Sequence, residues 1–171
     1  MIDDDDTAAR LRPINAGDLD RVLALNNLSA AETSLIDRDT LEAMLTDAFL
    51  AVTADRLPAF LIAFDERAGY RSPNFLWFKA RHRHFVYVDR IVVGEAARGR
   101  GLARSLYRHL FAVARAGGHD LVTCEVNSRP PNPVSEAFHA AMGFREVGTG
   151  TPQPGKEVAY LERPLAPDEP D

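Results

Sequence analysis

Apolar positions recur along the chain in two rhythms, a helical spacing of three to four residues and short near-continuous runs, and their alternation predicts the elements. "RLRPI" (10–14) starts as a strand, and "AGDLDRVLALNNLSA" (16–30) follows as a helix with Leu19, Val22 and Leu23 on its inner stripe. "DRDTLEAML" begins a second short helix, capped by Asp37 or Asp39. "FLAVTAD" and "PAFLIAFD" are two strands with "RLP" as their hairpin turn. "ERAGYRSPNFLWFKARHRH" then breaks the pattern: turn formers mix with Tyr70, Phe75, Trp77 and Phe78 without a clean period, as in a lid or substrate loop.

"FVYVDRIVV" (85–93) is a strand buried on both faces, interrupted only by Asp89 and Arg90. A helix is predicted over 102–116, with Leu106, Leu110 and Val113 on one face and Gly117 and Gly118 as its stop. "DLVTCEVN" is the next strand, so strand, helix and strand form a βαβ unit with parallel neighbours. "NPVSEAFHAAMGF" is a further helix with Asn132 as N-cap, Pro133 in the first position and Gly143 at the stop. Its expected apolar stripe is Val134, Ala137, Phe138 and Ala141. "FREVG" and "KEVAYLERPL" close the chain as two strands.

At 171 residues, with 46% hydrophobic and 26% charged positions, the chain is expected to form one soluble domain over 10–165. The aspartate-rich 1–9 reads as a disordered tail and 166–171 as frayed. A formal net charge of −5 argues against nucleic acid as a partner. The longest apolar runs, Phe85 to Val88 and Ile91 to Val93, fall far short of the roughly 20 residues that span a bilayer, so no membrane partner is expected. Cys124 is the single cysteine; it has no internal disulfide partner and fits a reducing, cytoplasmic setting.

Positive charge is concentrated in "ARGRGLARSLYRHL", just where a helix begins. First-turn N–H groups lack intrahelical partners and sit at the positive end of the dipole, which suits a phosphate. Gly99 and Gly101 allow positive φ and close approach, while Arg98, Arg100 and Arg104 offer charge-assisted hydrogen bonds. The lysine and hydroxyl of a P-loop are missing. A dinucleotide fingerprint is also incomplete, because Arg104 stands where its third glycine belongs.

The R-x-x-G-x-A pattern from Arg98 through Gly101 to Ala103, after a strand ending in "IVV", resembles the pyrophosphate loop of the GNAT acetyltransferase family. The resemblance extends from about Val86 to Phe144 in the family's order of elements. It implies an α/β (α+β) domain whose mixed, mostly antiparallel sheet splays at a central parallel pair, with acetyl-CoA as cosubstrate. The pantetheine arm would lie between Tyr87 to Val93 and Leu121 to Asn127, with backbone of Ile91, Val92 and Val93 facing the thioester. Arg98, Gly99, Arg100, Gly101, Leu102, Ala103 and Arg104 would hold the pyrophosphate. Asn132 matches the family's cofactor-contacting asparagine, and Ser135 and His139, four apart on one stripe, would face the cofactor.

Transfer to an amine needs a base, and Glu125 and Asp89 are the candidates, each a carboxylate on an apolar strand. Ion pairing of Glu125 with Arg90 or Arg129, and of Asp89 with Arg90 or His84, is the structural alternative. His139 stands where many family members carry an acidic tyrosine; it is either the acid or a solvent-exposed helical histidine. Tyr70, Asn74 and Trp77 are expected at the acceptor pocket, and His82 and His84 lack the partners of a metal site. The resulting expectation is an acetyl-CoA-dependent N-acetyltransferase acting on a primary amine. A small-molecule amine is favoured over a protein terminus because the aromatic segment would close a compact pocket. A homodimer is left open, as are two alternatives: an acyl-CoA-binding module without catalysis, and a nucleotide-binding regulatory protein.

Overall fold

The structure, a computed structural model, describes residues 10–56 and 58–167; the acidic tail expected over 1–9 and most of 166–171 lie outside the described residues. Seven strands are present among the described residues: β1 (Leu11–Pro13), β2 (Leu50–Ala54), β3 (Ala59–Asp65), β4 (Val86–Val93), β5 (Leu121–Arg129), β6 (Arg145–Gln153) and β7 (Lys156–Pro164). They form one sheet in the order β1-β2-β3-β4-β5-β7-β6. Every neighbouring pair is antiparallel except β4 and β5, which are parallel.

Six α-helices among the described residues cover the two faces. On one side lie α1 (Leu19–Leu28), α2 (Ala30–Thr33), α3 (Arg38–Asp47) and α4 (Pro73–Lys79); on the other lie α5 (Leu102–Ala116) and α6 (Pro133–Ala141). The sheet therefore separates two cores. Leu102, Leu106, Tyr107 and Leu110 of α5 pack on Val86, Val88, Cys124 and Val126. Across the sheet, Val22, Leu41, Phe75 and Phe78 pack on Phe60, Ile62, Tyr87 and Tyr160.

The helix expected over 16–30 is divided. Asn15 caps a 3-10 turn at Ala16–Asp18, α1 follows, and Ser29 leaves helical geometry before α2. For α3 the cap is Asp37, whose carboxylate accepts the Thr40 N–H at 2.8 Å. The aromatic segment is not a lid. Ser72 and Pro73 start α4, and Phe75 and Phe78 are wholly buried in the second core. Each such ring contributes roughly 1.5–3 kcal/mol by leaving water, which fixes α4 against β4 and β7.

The stripe expected on α6 is also rotated. Val134, Ala137 and Ala141 face solvent, Val134 being 80% exposed, while His139 and the following Met142 are buried and Ser135 and Phe138 half-buried. The inward face is partly polar because Tyr107 on α5 supplies a hydroxyl for His139 to bind.

One irregularity in β4 opens the sheet. Ala63 pairs with Val88 and Ile62 with Arg90, which leaves Asp89 as an extra, bulged residue. Side-chain parity switches there: Val86 and Val88 face α5, but beyond the bulge it is Ile91 and Val93 that do. Pairing between β4 and β5 ends at Tyr87 with Thr123. Beyond that point the β4 backbone on the β5 side has no ladder partner, and the strands diverge.

Candidate active site

The divergence leaves a cleft of about 80 Å³ that is lined from both faces of the sheet. Glu32 and Thr33 of α2, Asp89, Arg90, Glu125 and Asn127 line it on the side of α1 to α4; Tyr107, Cys124, Asn132, Ser135 and His139 line it on the side of α5 and α6. Its walls come from both faces of the sheet, so groups held on either side are brought together between the strands.

Glu125 stands at the meeting point. Its neighbours Cys124 and Val126 face α5, so strand alternation turns Glu125 to the other face. There its Oε2 accepts a hydrogen bond from the Tyr87 hydroxyl at 2.8 Å, and Oε1 accepts from Asn74 Nδ2 at 3.0 Å. No arginine is paired with it among the described residues; Arg90 pairs with Asp89 and Arg129 with Glu157. Enclosure in protein, reinforced by the nearby Asp89 charge, pushes its carboxyl up to about 8 against the Tyr87 and Asn74 donors.

Asp89 is committed elsewhere. The bulge puts Asp89 and Arg90 on the same face, and Arg90 Nε donates to Asp89 Oδ2 at 2.7 Å while Nη1 donates to Asn26 Oδ1 at 2.8 Å. Both side chains are only 5% exposed. This is a buried pair with a further hydrogen bond, the arrangement in which removing one partner costs most.

On the opposite wall His139 is buried, not solvent-exposed. Its Nδ1 lies 2.7 Å from the Ser135 carbonyl oxygen, which only accepts, so Nδ1 carries the proton. Nε2 then accepts from the Tyr107 hydroxyl at 2.8 Å. Burial lowers the histidine pKa, so the ring is held neutral. Burial likewise raises the Tyr107 hydroxyl well above its ordinary range. Tyr87, Tyr107 and Asn26 were not singled out from the sequence; the available signal was that a tyrosine on a fully apolar stretch needs a partner for its hydroxyl.

The glycine turn behaves as its composition suggests. Gly99 and Gly101 have φ of +77° and +74°, and Gly101 caps α5 with no side chain. A Cβ added at either would meet no atom within 4 Å, so the space over the loop is open. Leu102 is buried beneath it, Arg98 reaches the Val93 carbonyl at 3.4 Å, and Arg100 is exposed. Arg104, with Arg108, Arg115 and Arg163, lines a separate hollow between α5 and the end of α6. Ile91 and Val93 lie on the unpaired edge beyond the bulge, and Val92 is buried toward the second core. Asn132 caps α6 by accepting the Ser135 N–H at 3.2 Å.

The three residues expected at the acceptor pocket do not line the cleft. Tyr70 stacks on Phe64 at 4.2 Å and its hydroxyl is raised by burial and the Asp89 charge. Trp77 stacks on Tyr160 at 4.2 Å. Asn74 is one hydrogen bond behind the cleft, on Glu125. At the far end of the sheet, His82 pairs with Glu162, and His84 and His119 flank Glu66 at 3.3 and 3.1 Å. Asp65 stands beside His119 but is held by Arg67.

The fold is shared with solved acetyltransferase structures. Naa20 of Chaetomium thermophilum, solved with a bisubstrate analogue, superposes with a TM-score of 0.73 at 19% identity, covering 93% of this chain and 88% of that one. yncA of Salmonella typhimurium, solved with its cofactor acetyl-CoA, gives 0.68 at 17% identity over 96% and 98%. The model of the acetyltransferase (GNAT) family matches residues 24–144, and the chain belongs to that family. Phosphinothricin N-acetyltransferase of Streptomyces coelicolor is 35% identical over 94 residues; the match spans 52% of this chain and 54% of that relative. No helix among the described residues is long and apolar enough to cross a membrane.

Proposed function

We propose that the protein transfers an acetyl group from acetyl-CoA to a primary amine, with Glu125 as general base. The observation that carries this is a carboxylate without a cationic side chain bound to it among the described residues, held by two donors and facing a cleft lined from both sides of the sheet. A carboxyl near 8 is matched to an amine nucleophile, since a base works best with a pKa near the operating pH.

Acetyl-CoA would enter from the α5 and α6 side, its pyrophosphate on the uncapped first turn of α5 at Gly101 and its thioester along the free edge of β4. The acceptor would enter past α2. The amine nitrogen bonds to the acetyl carbonyl carbon as its proton passes to Glu125, the C–S bond then breaks, and the proton finally reaches the CoA sulfur. Backbone N–H groups of β4 near Ile91 face the developing oxyanion. Tyr107 donates its one hydroxyl proton to His139 Nε2, so it meets the leaving thiolate only by turning that O–H from the ring to the sulfur. It does not protonate it outright, because its hydroxyl holds its proton more tightly than a thiol near 8.5. His139 orients that hydroxyl.

The aromatic segment belongs to the core and is not available to close a small pocket. No compact pocket closed by this segment favours a small-molecule acceptor, and both amine classes belong in the test. CoA and acetyl-CoA should raise the melting temperature while ATP and NAD do not; a ligand at 100 times its Kd adds about 2.7 kcal/mol. Thiol release is then followed over small amines and peptide amino termini. Stabilisation by CoA with no release on either panel would favour the acyl-CoA-binding module, and stabilisation by NAD or ATP alone would overturn the assignment.

A further inference from the structure

We infer that Asn74 is the positioning residue of the base, and that it is oriented by Tyr160 within an aromatic assembly seated on Gly148 and Gly150. This rests on Glu125 acting as the base. The Tyr160 hydroxyl donates to Asn74 Oδ1 at 3.1 Å, and Asn74 Nδ2 donates to Glu125 Oε1 at 3.0 Å. The direction matters. With Oδ1 occupied by the tyrosine proton, the amide offers Glu125 only its NH₂, a donor that favours the ionised carboxylate.

The assembly is built from three separate elements, so its geometry is set by packing and not by local sequence. Arg81 lies 3.7 Å over the Trp77 ring, Trp77 stacks on Tyr160 at 4.2 Å, and Tyr160 stands opposite Gly148 where β7 pairs with β6. Both glycines are required by space. A Cβ at Gly148 would lie 2.7 Å from Trp77 Cζ2, and one at Gly150 would collide with the Tyr160 hydroxyl. The "GTG" of β6 is thus the floor that lets the Trp77 and Tyr160 stack reach Asn74.

Other titratable groups also face Glu125. Tyr87 and Asp89 come from β4, Lys156 and Tyr160 from β7, Tyr107 from α5, and Cys124 is its neighbour on β5. None of them occupies Oε1. Loss of Asn74 therefore removes one donor to a charged acceptor, which should raise the carboxyl by about one to two pH units.

The test uses Asn74→Ala, Tyr160→Phe, their double variant and Glu125→Gln. The acid limb of kcat/KM and the carboxyl titration of ¹³C-labelled glutamate are measured side by side, the second independent of turnover. Asn74→Ala should move both upward by about one to two pH units with CoA KM unchanged. Tyr160→Phe should move them less, and the double variant no further than Asn74→Ala, because Tyr160 acts through Asn74. A wild-type titration in Asn74→Ala, or additive shifts in the double variant, would overturn the inference. Wild-type turnover in Glu125→Gln would instead overturn the base assignment, leaving the Asn74 contact to be judged by the carboxyl titration alone.

Discussion

Glu125→Gln should make the protein more stable in alkali and less stable in acid, where only a lost hydrogen bond of about 1–2 kcal/mol remains. The Glu125 carboxyl rises from 4.5 to about 8 on folding, so the folded state binds its proton more tightly than the unfolded chain. Stability then falls as pH rises from about 4.5, and the loss is complete above about 8. At 1.36 kcal/mol per pH unit, the full effect is about 5 kcal/mol, an upper figure because water reaches the carboxyl through the cleft. At pH 7 roughly two-thirds of it is present.

Glutamine removes the charge but also changes two hydrogen bonds. Its amide oxygen can still accept from Tyr87, whereas its NH₂ meets the NH₂ of Asn74, donor against donor. That cost is on the order of 1–2 kcal/mol and does not vary with pH. The informative quantity is therefore the difference between variant and wild type at pH 9 minus the same difference at pH 5, in which the hydrogen-bond cost cancels. Urea unfolding at the two pH values measures it, and the melting temperature should show it as about 10 °C or more. A variant effect that is the same at pH 5 and pH 9 would refute the claim that folding holds this carboxyl protonated.

Three further outcomes follow from the geometry. Gly101→Val should fold yet lose CoA stabilisation, since φ of +74° strains a β-branched residue and its side chain would occupy the open space over the first turn of α5; thermal melts with and without CoA measure this. Gly148→Ala should cost about 1–3 kcal/mol by overpacking against Trp77, with a changed emission from this sole tryptophan. His139→Gln, which keeps a polar partner for Tyr107, should lower kcat less than about tenfold and leave the acid limb in place. A loss of 10² to 10⁴, the span of a true general acid, would restore His139 to that role.

Much of the frame was legible because it depends on local rules. The bounds of α5 follow from apolar spacing between Gly101 and Gly117, and the parallel pair follows from the βαβ order. The cap of α6 was legible in Asn132 and Pro133. What failed depended on partners distant in sequence. The seven residues of α4 are too few to show a period. On α6 the apolar residues Val134 and Ala137 face water because the inward position belongs to His139, whose value lies in a tyrosine 32 residues earlier.

The two carboxylates illustrate the limit most clearly. Asp89 and Glu125 look alike in sequence, each a single acid in a β-branched run, and strand alternation treats them equally. The bulge separates them. By placing Asp89 beside Arg90 on one face, it ties that acid to a guanidinium which Asn26 in turn holds. The same bulge lies where β4 parts from β5, and the opening leaves Glu125 at the cleft with only neutral hydrogen-bond donors on its oxygens. One inserted residue thus marks the cleft, ties the acid on its own strand to a guanidinium and leaves the acid across the gap with a raised pKa. No pattern within either strand contains that distinction, since it arises from the register of β4 against β3.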